Sequence, residues 1–256
     1  MRDLRIVFPS RAGVTTAVDG ISFDLGLEKL GIVGESGSGK SVTCRSLLGL
    51  IGPPARVTAA SMRLFGDEFA GAKPNAFRAV RGRRVGLIMQ DPRYSLNPVL
   101  TIGAQIEEGL SLQRGLNGSA ARAEGLRLLD AVALRDPFRV WKAHPHELSG
   151  GMGQRAMIAM MLAMEPALLI ADEPTSALDV TVQVEILALL QSLVTQRGMA
   201  LILVSHDLRM VEGFCDRVIV MHQGQVVDRC SAAELSHSQH PYTRRLLDSV
   251  PALAQA

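Results

Sequence analysis

The chain has 256 residues, which suits one large or two small domains, with a core that needs no disulfides. Its formal net charge of +2 is too small to indicate a nucleic-acid-binding surface. Cys44, Cys215 and Cys230 are isolated, so they give neither a disulfide framework nor a metal-binding spacing, and we expect a reducing compartment. The N-terminus lacks a signal-peptide core, and the longest apolar run, Ala156–Met164, is too short to span a bilayer. Any role at a membrane should therefore depend on an embedded partner.

Short β-branched runs alternate with helical patterns along the chain, which predicts an α/β fold with a mainly parallel sheet between helices. One predicted helix, Thr181–Arg197, carries Val184, Leu187, Leu190 and Val194 on one face. The other predicted core helix is Lys40–Leu50. The predicted strands are Leu4–Phe8, Ile21–Leu25, Leu30–Val33, Val85–Met89, Leu168–Ala171, Ala200–Val204, Val218–Met221 and Gln225–Arg229.

Residues 91–164 differ from the rest because they hold few strand-like runs. Helical patterns cover Ile102–Leu112, Ser119–Val132 and Gly150–Met164. Ser119 follows a loop-like stretch and is a candidate helix cap. We therefore expect a helical subdomain at 91–164, inserted into the α/β core.

A glycine-rich loop matching G-x-x-x-x-G-K-[ST] lies between the strand Leu30–Val33 and a helix. Its glycines let successive N–H groups point at one anion, and the helix N-terminus adds a positive dipole end. Lys40 would reach the β- and γ-phosphates of ATP, and Ser41 would bind Mg²⁺. A turn without a ligand is the alternative, but a chance match in a chain this long is on the order of 1%. The candidate phosphate-binding residues are Gly34, Glu35, Ser36, Gly37, Ser38, Gly39, Lys40, Ser41 and Val42.

Two carboxylates, Asp172 and Glu173, end the apolar strand Leu168–Ala171. Asp172 is predicted to organise Mg²⁺, and Glu173 to polarise the attacking water as general base. Alone this is a weak signal, because many strands end in acidic turns. Beside a phosphate loop it indicates ATP hydrolysis.

Polar residues also follow two other predicted strands, where an α/β sheet opens its ligand crevice. His206 follows Ala200–Val204 and is predicted to contact the γ-phosphate. Gln90 follows Val85–Met89 and is predicted to reach Mg²⁺ or the water. Taken alone, a helix-capping histidine and a solvated loop glutamine are the simpler interpretations.

The segment Leu148–Arg155, LSGGMGQR, resembles the LSGGQ signature of ABC ATPases, and like that signature it opens a helix upstream of the Asp-Glu pair. Ser149 and the amides of Gly150 and Gly151 would form a second anion-binding helix start. In the family, two ATPase domains pair head to tail, and the signature of one closes over the ATP held by the other.

The resemblance covers nearly the whole chain and implies a single ABC ATPase domain at 1–256. That fold has a P-loop NTPase core, an N-terminal antiparallel β part and the inserted helical subdomain. It implies Gln90 as the Q-loop, Ser176–Asp179 as the D-loop and His206 as the H-loop. It also places Phe8 where the family stacks an aromatic ring on adenine, although a strand phenylalanine is more often core.

Finer features are similar to importers of oligopeptides, dipeptides and nickel. These features are Gln90–Pro98, His144–Glu147, and His240–Thr243 followed by Leu246 and Leu247. Two positions depart from that branch: Gly153 stands where Arg is usual, and Leu27 where Gly is common. The chain ends soon after Pro251 without a cysteine-bearing extension, and this short tail resembles the nickel and metallophore members.

The resemblance thus implies a peripheral ATPase at the cytoplasmic face of the inner membrane, using ATP and Mg²⁺ to import nickel, a metallophore or peptides. Its implied partners are a related second ATPase or a second copy of itself, permease subunits and, indirectly, an extracytoplasmic solute-binding protein, with no nucleic acid. The alternatives are a soluble ABC ATPase of DNA repair or the ribosome, and a P-loop ATPase that works alone. The first lacks support from a coiled-coil insertion or a second ATPase domain, and the second leaves the signature unexplained.

Overall fold

A computed structural model describes residues 1–11 and 13–249, which form two compact units. Unit 1 comprises Met1–Val80 and the chain from Ala200 onward, and unit 2 comprises Arg81–Met199. The predicted subdomain 91–164 falls within unit 2, and its status as a separate insertion stays a prediction. Pro251 and the chain end lie outside the described residues.

The elements follow one another in the order that the sequence periodicity predicts, with additional short ones. The strands are β1 Leu4–Ser10, β2 Gly13–Ile21, β3 Lys29–Val33, β4 Arg56–Thr58, β5 Arg63–Leu64, β6 Asp67–Glu68, β7 Val85–Ile88, β8 Leu168–Asp172, β9 Ala200–Ser205, β10 Arg217–His222 and β11 Gln225–Ser231. The α-helices are α1 Lys40–Ser46, α2 Ile102–Arg114, α3 Gly118–Ala131, α4 Pro137–Lys142, α5 Gly150–Leu162, α6 Val180–Arg197, α7 Leu208–Phe214 and α8 Pro241–Ser249.

Unit 1 contains a sheet segment in the order β11-β10-β3-β9. β3 is parallel to both β9 and β10, and β11 pairs antiparallel with β10. Val33, the last residue of β3, lies beside Ser205 of β9 and Val220 of β10. Because these strands end at one level, the residues that follow β3 and β9 emerge at the same edge of the sheet.

A second sheet in unit 1 is antiparallel, with β1 between β2 and β4. It matches the antiparallel β part implied by the resemblance. The predicted strand Ile21–Leu25 is wrong, because the strand is β2 and ends at Ile21. β2 begins with four exposed residues, so it has no apolar run to mark it.

Unit 2 holds the parallel pair β7 and β8, with Ile88 beside Ala171. Gln90 and the Asp172-Glu173 pair therefore follow neighbouring strands at the same end. Helices α2, α3, α4 and α5 pack against one another around buried side chains such as Ile106 and Leu128.

Three helix predictions need correction. The helix predicted over Lys40–Leu50 stops at Ser46, since a left-handed turn at Gly49 follows. Ser119 lies inside α3 rather than capping it, and Asn117 holds the N-cap position. Val184 is 63% exposed, whereas α6 buries Ile186, Leu190, Leu193 and Val194. Because α6 is apolar on several sides, more than one stripe fits the helical period.

Trp141 fixes how three helices of unit 2 pack. A Cβ added at Gly103 of α2 would lie 2.4 Å from the indole, and one at Gly125 of α3 would lie 2.1 Å from it. Neither position can carry a side chain unless the indole moves, so both helices approach the ring through their backbones.

We expect Gly125→Ala to lower the free energy of unfolding by about 1–2 kcal/mol, because overpacking of ~1–3 kcal/mol exceeds the helix-propensity gain of up to ~1 kcal/mol. Urea unfolding followed by circular dichroism, and by fluorescence of Trp141, the single tryptophan, measures this. Gly213→Ala is the matched control: Gly213 is an exposed helical glycine of α7 with no atom within 4 Å of an added Cβ. Equal stability of the two variants would contradict the packing argument.

Candidate functional site

The phosphate loop, residues 34–41, leaves β3 in a backbone conformation that only glycine adopts readily. Gly34, Gly37 and Gly39 have φ of 150°, 81° and 100°. A Cβ at Gly34 would lie 2.2 Å from the Met221 carbonyl oxygen, and one at Gly39 would lie 2.5 Å from that of Ala17. The loop thus packs closely against neighbouring backbone on two sides.

Lys40 ties the ends of this loop together. Its side chain is buried, and Nζ donates to the carbonyls of Gly34 at 2.8 Å and Glu35 at 2.9 Å. Gly224 N–H donates to the Ser38 carbonyl at 3.1 Å, which fixes the middle of the loop. The loop therefore surrounds the buried Lys40 ammonium group, and these hydrogen bonds fix its conformation.

Ser38 was predicted as a phosphate ligand, and its Oγ is buried with no hydrogen-bond partner within the described part of the chain. A buried hydroxyl left unpaired is unusual unless a ligand completes it. Together with buried Lys40, it makes the loop fit an anionic group such as the phosphates of ATP.

The other predicted residues of unit 1 lie on three elements. Ser41 and Val42 are half-buried in the first turn of α1. His206 is exposed directly after β9, at the edge of the sheet from which the phosphate loop also emerges. Phe8 is half-buried on β1 opposite Thr15. Glu35, Ser36 and Gly37 form the exposed tip of the loop.

In unit 2, Asp172 is buried at the end of β8, and Glu173 follows it with a φ of 49°. Positive φ is rare for a side-chain-bearing residue and typically costs about 1–3 kcal/mol outside glycine. Ser176 Oγ donates to the Glu173 carbonyl at 3.2 Å, and Gln183 Nε2 donates to the Thr175 and Leu178 carbonyls. The turn after the two carboxylates is therefore held in place.

A cavity of about 550 Å³ in unit 2 brings the Q-loop, signature and D-loop residues together. Gln90, Ser149, Gly150 and Leu178 line it. Ser149 caps α5, with Met152 N–H donating to its Oγ at 3.4 Å. Gly151 faces Val182, whose Cγ1 would lie 2.8 Å from an added Cβ.

Sequence reasoning missed Gln154, which also lines this cavity. Its side-chain amide is buried, and neither polar atom finds a hydrogen-bond partner among the described residues. The neighbouring Gly153 approaches Pro92, whose Cγ would lie 3.3 Å from an added Cβ. The residue type was visible in the sequence, but its burial was not.

Comparison with known proteins identifies the family. A family model described as "ABC transporter" matches residues 18–176. The chain belongs to the ABC transporter ATP-binding family. The resemblance of the signature segment and the predicted ABC ATPase fold are thereby confirmed, and the chain is an ATPase that uses ATP with Mg²⁺.

Two relatives show the branch. "Peptidoglycan transport ATP-binding protein YejF" of Agrobacterium fabrum is 48% identical over 98% of this chain and 46% of that protein. "Dipeptide transport ATP-binding protein DppD" of Escherichia coli is 44% identical over 98% of this chain and 78% of that protein. The chain thus spans about half the length of the first and over three-quarters of the second. These relatives confirm an ABC importer ATPase over the non-transport alternative.

Solved structures agree in fold. The dimeric, post-hydrolysis ATP-binding cassette MJ0796 bound to ADP and Pi superposes with a TM-score of 0.79, at 26% identity over 90% of this chain and 97% of that one. CbiO1 of Clostridium perfringens, part of the cbiONQ complex, superposes with a TM-score of 0.73 at 25% identity. The match covers 98% of this chain and 96% of that one. ABC ATPases pair with one another and with membrane permeases. The described helices include none with the length and apolarity to cross a bilayer.

The Mg²⁺ and phosphate chemistry of the family suits the residues present. Ser41 offers a hydroxyl and Asp172 a buried carboxylate, both hard oxygen ligands of the kind Mg²⁺ prefers. The unpaired Ser38 hydroxyl and the buried Lys40 suit a phosphate. The individual roles of these residues stay predictions.

The close approach at Gly34 gives a direct test of the loop. We expect Gly34→Ala to lower the free energy of unfolding by about 2–4 kcal/mol, from overpacking and positive φ together, and to weaken ATP binding. Gly37→Ala is the control, because Gly37 shares the positive φ but has no atom within 4 Å of an added Cβ. It should lose only about 1–2 kcal/mol. Denaturant unfolding of the full-length chain measures both, and a smaller loss in Gly34→Ala would refute the close approach.

Proposed function

We propose that this importer ATPase powers the uptake of a peptide-class solute. Relatives named for dipeptide and peptidoglycan transport align with 98% of the chain, and this similarity carries the proposal. Neither of these relatives is named for nickel, so the predicted nickel or metallophore cargo has no specific support. The cargo itself is not contacted by an ATPase subunit, which leaves relatives as the guide.

We assign the phosphate loop to the phosphates of ATP. Lys40 already directs its ammonium group into the loop, where the carbonyls of Gly34 and Glu35 hold it. Ser38 supplies a hydroxyl that has no partner among the described residues, and the glycines hold the loop close to neighbouring backbone. On this proposal Phe8 contacts the adenine ring, as in the family.

The hydrolytic residues are assigned from their sequence motifs and the family resemblance. Ser41 in unit 1, and Asp172 and Gln90 in unit 2, are each candidate ligands for Mg²⁺, which when bound neutralises charge on the phosphates. Glu173 accepts a proton from the attacking water, and its fixed turn positions the carboxylate. His206 orients the water and the γ-phosphate from the end of β9.

We further propose that Ser149, Gly150 and Gly151 contact ATP held by a second ATPase. Ser149 and Gly150 are exposed, as a group that serves a partner must be. One chain then supplies the front of one ATP site and the back of another, and acts poorly alone. A related second chain is the partner we favour, because importers of this branch usually pair two different ATPases.

The permease contact is proposed at the segment after Gln90. Tyr94, Val99 and Leu100 of this segment are 81%, 76% and 38% exposed, so the segment presents apolar side chains to solvent. Apolar side chains at this exposure suit burial against another protein. A permease contact would place this ATPase at the cytoplasmic face of the inner membrane.

The hydrolytic assignment is tested by Glu173→Gln in the assembled importer. We expect ATP still to bind, while hydrolysis falls by about 10²–10⁴-fold because the base is lost. Glu108→Gln, an exposed glutamate of α2, should leave hydrolysis unchanged. Rapid hydrolysis by Glu173→Gln would contradict the assignment of Glu173 as general base.

The same variant tests the cargo in cells. Uptake of a labelled di- or oligopeptide should stop in Glu173→Gln, while nickel accumulation stays at the level of the unmodified importer. Loss of nickel accumulation with peptide uptake intact would overturn the peptide assignment and leave the ATPase assignment standing.

The permease contact is tested by Val99→Asp. A buried charge at an apolar contact should weaken retention by the permease about tenfold or more, measured by copurification from membranes. Leu27→Asp is the control, since Leu27 is 75% exposed but lies in unit 1. Equal loss in both variants would show that this segment is not the contact.

A further inference from the structure

The His-Pro-Tyr-Thr segment His240–Thr243 has no part in the chemistry described so far. It opens α8, and Tyr242 is 4% exposed. Tyr94, the only other tyrosine, is 81% exposed. A buried tyrosine hydroxyl normally finds a hydrogen-bond partner, and the partner of Tyr242 is informative.

The Tyr242 hydroxyl reaches the phosphate loop. Glu35 N–H donates to Tyr242 Oη at 3.3 Å, across 207 residues of sequence. The tyrosine ring also lies against His222, with ring centroids 3.9 Å apart. His222 follows Met221, whose carbonyl is the group that Gly34 approaches. The first two residues of the loop are therefore held by one continuous set of contacts.

α8 is itself fixed, so the hydroxyl is not free to drift. Thr243 Oγ1 donates to Asp228 Oδ2 at 2.8 Å, and Ser238 Oγ donates to the same oxygen. Tyr242 N–H donates to His240 Nδ1 at 3.3 Å. Asp228 belongs to β11, which pairs with β10. The helix start is thus anchored to the sheet segment that also carries His222.

We propose that Tyr242 is a positioning residue for the phosphate loop. Its hydroxyl accepts a hydrogen bond from the Glu35 amide, and Lys40 donates one to the Glu35 carbonyl, so that together they set the first turn before ATP arrives. This rests on the proposed role of the loop in phosphate binding. The His-Pro-Tyr-Thr segment then serves the nucleotide site, although it lies near the opposite end of the sequence.

The chemistry of the phenol suits this role. Burial raises the pKa of Tyr242, so the group is a neutral acceptor at physiological pH. A carboxylate in its place would also accept from the amide, but it would add negative charge close to the phosphates. A phenylalanine would fill the same space and leave the amide unpaired.

The test is Tyr242→Phe in the full-length chain, which removes the hydroxyl alone. We expect its dissociation constant for ATP to rise about three- to tenfold, the value of one hydrogen bond. In the assembled importer, KM for ATP should rise while kcat at saturating ATP is kept. Hydrogen–deuterium exchange at the loop, residues 34–39, should quicken without a matching change in α8. A purely structural tyrosine would instead lower the unfolding midpoint, loosen α8 and leave ATP affinity unchanged.

Two controls separate the possible failures. Ser249→Ala removes another hydroxyl of α8, one that donates to the Leu246 carbonyl, and it should leave ATP affinity unchanged. Lys40→Ala tests the loop itself and should lose ATP binding. If Lys40→Ala binds ATP normally, the proposed role of the loop fails. If Lys40→Ala loses ATP while Tyr242→Phe binds it as the unmodified chain does, the inference about Tyr242 alone fails.

Discussion

The backbone of the phosphate loop runs so close to its neighbours that Gly34 and Gly39 have no room for a Cβ. This close approach positions the loop relative to β2 and β10, and the positive φ values at the same residues curl it. A side chain at either position would shift the loop and everything that follows it, including Lys40. The glycines are therefore required by position as well as by conformation, and the start of α1 depends on them.

Electrostatics explains the second restraint on the loop. A buried ammonium group is costly unless polar groups surround it. Lys40 meets this requirement partly through the carbonyls of Gly34 and Glu35, which lie within the loop that it serves. The charge is thus held in place by the backbone that would receive a phosphate. A triphosphate offers a stronger partner for the same ammonium group, so binding can use an arrangement that the fold already maintains.

Local sequence patterns predicted much of this site, whereas the rest depends on long-range contacts that local patterns do not specify. The strands β3, β8 and β9, with the loop and carboxylates after them, were predictable from sequence because each contains a buried apolar run of four or more residues. β2 was misplaced because its first half is exposed. The predicted cap at Ser119 was wrong because α3 begins one residue earlier, at Gly118, which places Asn117 at the N-cap position. The bond from Glu35 to Tyr242 could not be predicted, since nothing local at either residue specifies a partner 207 positions away.

Several features that lower stability coincide with the predicted functional segments. Glu173 adopts a positive φ directly after a fully buried strand, and Asp172 is a buried carboxylate. Ser38 and Gln154 bury polar atoms that find no partner in the described chain. A sequence selected for stability alone would remove such features, and natural proteins retain them mainly at functional sites. Gln154 fits this pattern although its motif did not single it out, and its buried, unpaired amide lines the same cavity as Gln90 and Ser149.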